Sequence, residues 1–264
     1  MIKTLSKVLL FLSLAIRLSN ATAADTAPLR ALLITGGCCH DYEAQKKILS
    51  EGISARANVT WTIIHEGGAD EKETKFSIYE KPDWIKNFDV IVHNECSGKL
   101  VDVPFIDSIV RAHTNSGIPA VMIHCSIHSY REAQTDEWRK LLGVSSYRHQ
   151  ARREFDVVAV KPEHPIMKGW PAKWHDKPDE LYEIKQVWPN CTPLAKSLTP
   201  NKPNDEHPSI WVNTYGKTRV FGTTLGHSVE TMELKEYLDL VTRGLLWSCN
   251  KLGDDGKPKA GYGK

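Results

Sequence analysis

Apolar runs alternate with amphipathic stretches along this chain. The clearest run, Ile118-Pro119-Ala120-Val121-Met122-Ile123, stops abruptly at His124-Cys125-Ser126-Ile127-His128. A strand covered on both faces loses the period-two alternation and reads as continuous apolar sequence, so a buried strand ending in a sharp turn is expected here. Residues 29–35, 59–64 and 88–93 repeat the pattern. Between them, Asp41 is placed to cap a helix running to about Ala57. A second helix, 103–115, is closed by Gly117, and a third, 136–142, ends at Gly143. Strand and helix in alternation predict βαβ units, a mostly parallel sheet and helices on both faces.

The second half is less regular. Residues 155–160 and 179–184 read as strands on either side of the Pro- and Gly-punctuated stretch 162–171. Residues 209–212 and 219–224 bracket a hairpin at Tyr215-Gly216-Lys217, where glycine supplies a positive φ. Leu234, Leu238, Val241 and Leu245 predict one long terminal helix over about 229–247 that packs on the sheet. The Gly- and Lys-rich tail 250–264 is expected to fray. No internal repeat or linker divides residues 29–249.

The N-terminus changes the charge picture. A basic start, a short apolar run and Ala21-Thr22-Ala23 predict a secretory signal peptide over residues 1–23, followed by a short linker, 24–28. The apolar run is too short to span a bilayer, which needs roughly 18–20 residues. A secreted or periplasmic protein is expected, with no membrane association after cleavage. Residues 1–23 carry Lys3, Lys7 and Arg17 and no acid, so the formal net charge falls from +2 to −1 without them. That balance gives no reason to expect nucleic acid as a partner. The sequence leaves the oligomeric state open.

In an open α/β sheet, parallel strands deliver their carboxyl ends to one edge. That edge should gather His40 and Asp41, Glu95, His124 with Cys125 and His128, and His227. One reading is a metal or acid–base site. His124 and His128 are four apart, and with His227, and with Glu95 or His40 completing the set, they would hold a divalent ion such as zinc. A second reading makes Cys125 a thiol nucleophile at the strand-to-turn junction, with His227 as base and Glu230 as its orienter. A third takes tryptophans near the turns, Trp170 and Trp211 among them, as a platform for a sugar ring in a non-catalytic glycan-binding module. The six cysteines make disulfides possible. Cys191 and Cys249 read as structural or free thiols, and the neighbours Cys38 and Cys39 are poorly placed to bond to each other.

Several runs together resemble one family. They are Thr35-Gly36-Gly37 with His40-Asp41, Val121-Met122-Ile123-His124-Cys125-Ser126, His164-Pro165-Ile166 with Gly169, Asp179-Glu180-Leu181-Tyr182, and 219–228 ending in Leu225-Gly226-His227-Ser228. In that order and spacing they resemble the ThuA-like proteins, named for trehalose utilisation. The resemblance implies a class I glutamine amidotransferase-like, flavodoxin-like α/β fold and a small-molecule carbohydrate as partner. It puts Cys125 on the amidotransferase nucleophile position, but without the flanking glycines, and His227-Ser228-Val229-Glu230 is one residue longer than a His-x-Glu run. The expectation is an exported hydrolase, lyase or isomerase acting on a sugar or keto-sugar. His124 and His227 would be its acid–base groups or metal ligands, Glu95 and Glu180 its carboxylate partners, and His40 and His128 would close the site.

Overall fold

The computed structural model describes residues 26–202 and 204–264. The expected signal peptide, 1–23, lies outside the described residues. The first half follows the apolar pattern closely: β1 (Leu29–Gly37), α1 (Tyr42–Ser54), β2 (Val59–Glu66), β3 (Val90–Cys96), α2 (Val103–Ser116) and β4 (Ala120–Ile123). The caps read from the sequence are in place. The Asp41 carboxylate accepts from Ala44 N, Asp102 accepts from Phe105 N, and Gly117 ends α2 at φ 74°.

The second half contributes α3 (Glu137–Leu142), β5 (Val144–His149), β6 (Asp156–Ala159), β7 (Lys173–His175), β8 (Tyr182–Val187), β9 (Thr192–Leu198), β10 (Glu206–Tyr215), β11 (Thr218–Thr223), α4 (Val229–Met232) and α5 (Lys235–Ser248). Among the described residues nine strands form one sheet in the order β2-β1-β3-β4-β11-β10-β9-β6-β7. From β2 to β11 neighbours are parallel, and from β11 to β7 they are antiparallel. β5 and β8 pair with each other as a separate antiparallel ribbon.

Alternation along the parallel strands splits the core into two layers. Leu33, Val92, Val121, Ile123 and Phe221 meet Leu49, Ile53, Leu240, Val241 and Leu245 on one face, the side of α1 and α5. Leu32, Ile34, Ile91, Met122 and Val220 meet Ile106, Ile109, Trp138 and Leu141 on the other, the side of α2 and α3. Burial on both faces is what removed the polar alternation from these strands.

Two expectations about the C-terminus are corrected. The single terminal helix is broken at Leu234, whose extended backbone separates a short turn capped by Ser228 from the longer α5. Thr231 of α4 turns toward Asp176 and donates to its carboxyl group at 2.9 Å, whereas α5 lies on the sheet. The tail is not frayed. Leu252 is buried and bridges to Pro258, Gly263 bridges to Ala57, and Asn58 N donates to Tyr262 O at 3.0 Å. Among the described residues no helix is long and apolar enough to cross a membrane.

Candidate active site

Three adjacent parallel strands and their neighbour β11 end at one edge of the sheet, and each end has its own turn. β4 stops at Ile123, and His124 adopts φ 42° before a single 3-10 turn over His124–Ile127. A left-handed backbone costs a residue with a side chain about 1–3 kcal/mol and persists where surroundings hold it. Here the His124 Nδ1–H donates to the Thr224 carbonyl at 2.6 Å, which ties the turn to the end of β11 and leaves Nε2 facing Glu180 and the Tyr182 hydroxyl. The strained residue of this elbow is thus His124 and not Cys125.

Beyond β11, Gly226 takes φ 108° and His227 follows. The turn is held from below: Gly226 N and His227 N donate to the buried Asp179 carboxylate at 2.8 and 3.1 Å, and Gln45 Nε2 donates to His227 O at 3.2 Å. At the end of β1, a side chain on Gly37 would place its Cβ 2.0 Å from the Cys96 carbonyl oxygen, so glycine there lets β1 and β3 close up beneath the site. His40 stands just past that point.

These turns bring His40, His124 and His227 together with Glu180, which arrives on the segment leading into β8. One ligand-type atom from each lies within 4.8 Å of all the others. His40 Nε2 is 3.0 Å from His227 Nδ1. Glu180 Oε1 is 3.3 Å from His227 Nδ1, and Oε2 is 3.4 Å from His124 Nε2. His149 Nδ1, at the end of β5, is 3.4 Å from Glu180 Oε1. The Tyr182 hydroxyl is 3.4 Å from His124 Nε2.

Burial and charge set the protonation states. Burial, reinforced by the neighbouring imidazoles of His124 and His227, pushes His40 down to about 2, so its ring is a neutral lone-pair donor at physiological pH. Burial also drives His128 well below the usual histidine range. For His124 burial works downward too, but the Glu180 hydrogen bond and the charges of Asp179 and Glu180 outweigh it and raise the group. Glu180 is the counterpart: burial alone would raise it, and its hydrogen bonds to His124 and His227 hold it below the usual carboxylate range.

The other residues singled out from the sequence have different surroundings. Glu95 is at the same edge but on the opposite face, because alternation along β3 turns His93 and Glu95 toward α2. Its Oε1 accepts from the Tyr79 hydroxyl at 2.6 Å and lies 2.8 Å from His93 Nδ1, and His93 Nε2 meets His113 Nε2 at 3.1 Å. Glu95 is therefore no partner of His124. His128 lines the pocket but is not a metal ligand alongside His124 and His227, because the Tyr182 ring stands between them, with centroids 4.9 Å from His124 and 3.9 Å from His128. Asp41 caps α1. Glu230 is exposed and faces Arg152 at 3.6 Å, so the carboxylate beside His227 is that of Glu180.

Trp170 and Trp211 offer no sugar platform. Trp211 is fully buried, its Nε1–H donating to the Leu142 carbonyl at 2.7 Å, and Trp170 packs against Trp174 in the core. Cys125 is bonded to Cys96, and Cys38 is bonded to Cys39, contrary to the expectation for that pair. In this state Cys125 presents no thiol. Cys191 and Cys249 are free, and burial pushes each thiol up to about 12, which leaves them protonated and inert.

The resulting pocket has a volume of about 120 Å³. His40, His128, His149, Glu180, Tyr182, His227 and the four bonded cysteines line it, and Lys72, Lys99 and Arg131 stand around it. Sequence reading missed His149 and the supporting role of Asp179. His149 belongs to a short strand with no clean periodicity, and nothing in its neighbourhood marks it out.

Comparison with known proteins agrees with this architecture. The family model described as ThuA, trehalose utilisation, matches residues 30–248. A protein described as ThuA-like from Parabacteroides merdae superposes with a TM-score of 0.67 at 17% identity, covering 90% of this chain and 97% of that one. Another from Bacteroides uniformis gives 0.63 at 16%, covering 90% and 98%. A protein described as a GMP synthase component from Thermoplasma acidophilum gives 0.50 at 12%, covering 85% and 96%, a likeness of fold. No curated protein matches the sequence. The apolar pattern, the sheet order and the match over residues 30–248 agree: the chain belongs to the ThuA family and has the glutamine amidotransferase-like fold.

Proposed function

We propose that this chain is an exported enzyme, secreted or periplasmic, that acts on a small sugar or keto-sugar derivative at a divalent metal ion held by His40, His124, His227 and Glu180. The observation that carries the reading is the convergence of four donor atoms within 4.8 Å. Three imidazoles and one carboxylate suit zinc and its first-row neighbours. Two of the four donors are prepared for a ligand sphere, and at His124 an ion would take the place of the proton that Glu180 favours. His40 is neutral, and His124 has its second ring nitrogen fixed on a backbone carbonyl, which orients the ring. The family description supports a carbohydrate as the substrate class.

Such an ion supplies Lewis acidity toward a carbonyl or hydroxyl oxygen, or lowers the pKa of a bound water toward ~7. The chain's own residues do the rest. His149 and the Tyr182 hydroxyl stand nearest the cluster, and burial drives the Tyr182 hydroxyl well above the usual tyrosine range, so it acts there as a hydrogen-bond donor. At about 120 Å³ the pocket is smaller than the ~300–1,000 Å³ of clefts that enclose a drug-sized ligand, so it suits one end of a small substrate. The absence of a free thiol at Cys125 and the burial of Trp170 and Trp211 favour this reading over a thiol hydrolase or a glycan-binding module.

A metal-free second reading rests on the ion pair itself. Glu180 bridges His124 and His227, as in a site for proton transfer alone. Elemental analysis of the purified chain decides between them. About one divalent ion per chain is expected, lost in His124→Ala and Glu180→Gln. A metal-free protein that turns over a sugar substrate at full rate after chelation would overturn the metal reading and leave the proton-transfer one.

A further inference from the structure

The floor of the pocket holds a second group of reactive side chains that the proposed sugar chemistry does not use. Cys38 is bonded to its neighbour Cys39, and Cys96 at the end of β3 is bonded to Cys125 in the turn after β4. The two bonds touch. Cys38 Sγ lies 3.8 Å from Cys96 Sγ, and the sulfurs of Cys38, Cys39 and Cys96 all fall within 4.8 Å of one another. The backbone holds them there: Gly37 is paired with Cys96 across β1 and β3, and Cys38 N donates to Cys96 O at 3.2 Å. Cys38, Cys96 and Cys125 are buried, whereas Cys39 is exposed. A chain of four sulfurs thus runs from the surface to the residue next to His124.

Thiol–disulfide exchange needs a thiolate within reach of a disulfide sulfur and conserves the number of disulfide bonds. We propose that these four cysteines form an exchange relay in which Cys39 is the entry, Cys38 and Cys96 pass the bond inward, and Cys125 is the terminus. The input is an external dithiol. One of its thiolates attacks Cys39 Sγ, forms a mixed disulfide and expels Cys38 as a thiolate. Its second thiol then attacks the first, leaves as a disulfide and releases Cys39, so two electrons and two protons have passed to the chain. The Cys38 thiolate attacks Cys96 Sγ, forms a Cys38–Cys96 bond and expels Cys125. One disulfide and two thiols remain, at Cys39 and Cys125, and the inner thiol is adjacent to the His124 elbow. The relay converts a pocket floored by two disulfides into one presenting a thiol beside the four-donor cluster, whether or not that cluster holds a metal.

The test is native treatment of the full chain with one equivalent of dithiothreitol, then alkylation and peptide mapping by mass spectrometry. About two alkylated thiols per chain are expected, on Cys39 and Cys125, together with a Cys38–Cys96 crosslinked peptide. Alkylation of Cys38 and Cys39 with Cys96–Cys125 intact would overturn the relay, as would any other pattern, including no release without denaturant. A Cys39→Ser variant tests the inner step without reductant. It should carry a Cys38–Cys96 crosslink and an alkylatable Cys125, and finding Cys38 alkylated with Cys96–Cys125 retained would refute the transfer.

Discussion

The ring of Tyr182 lies face to face on His128, 3.9 Å between centroids and 6° between planes, while its hydroxyl reaches toward His124 Nε2. One side chain therefore separates two histidines that are four apart in sequence and sets which of them joins the cluster. Tyr182→Phe keeps the stack and removes only a long hydroxyl contact, so thermal unfolding should shift by no more than about 1 kcal/mol. Tyr182→Ala removes a fully buried ring and should cost about 3–5 kcal/mol, with metal content falling as His124 loses its wall. Equal destabilisation by the two substitutions would show that the ring does not act as a spacer.

Asp179 supports the site without facing the cavity. Its carboxylate accepts both Gly226 N–H and His227 N–H. Asp179→Ala should destabilise by about 1–3 kcal/mol for each orphaned donor and release His227 from its position. Chemical denaturation and metal analysis would check both effects. Loss of stability with full metal retention would mean that His227 finds its place without this anchor.

Asp176, buried close to Asp179, gives a pH signature. Burial and the neighbouring carboxylate push it up to about 9 from its ordinary 3.8. An acid that keeps its proton in the folded chain and loses it on unfolding weakens the fold as pH rises. Its full contribution is present below about pH 4 and drains away up to about pH 9. Asp176→Asn cannot lose that proton, so at pH 8 it should be more stable than the parent by on the order of 1–3 kcal/mol, with the two curves meeting near pH 4. Parallel stability–pH curves would contradict this assignment.

Glu95 tests the separation of the two faces. Its carboxyl group and the His93 ring are both fully buried and hydrogen-bonded, and leaving such a buried polar partner unsatisfied costs about 1–3 kcal/mol. Glu95→Ala should therefore unfold more readily than the parent yet, while folded, bind added zinc as the parent does. Metal loss in the folded variant would place Glu95 in the site after all.

Much of this architecture was legible because strands buried on both faces write themselves as apolar runs, and their ends name the edge where His40, His124 and His227 meet. What strand ends do not reveal is the face. Along β3 a shift of one residue separates Asn94, which bonds to Gln45 beneath the site, from Glu95, which bonds to Tyr79 on the far side. The spacing of His124 and His128 pointed to a shared ligand set, but a spacing carries no information about Tyr182, which comes from a strand more than fifty residues away. β5, β7 and β9 escaped because three to seven residues of mixed polarity leave too little periodicity to read.

The three imidazoles stand on turns just past the central strands, whereas Glu180 and His149 arrive on the segment leading into β8 and at the end of β5, two strands that share no ladder with the main sheet. Binding of an ion at the cluster would therefore tie the start of β8 to the turns after β1, β4 and β11. An ion clasped by Glu180 would slow hydrogen exchange along β5 and β8 more than along β1 or β4, where the ladders of the main sheet already protect the backbone.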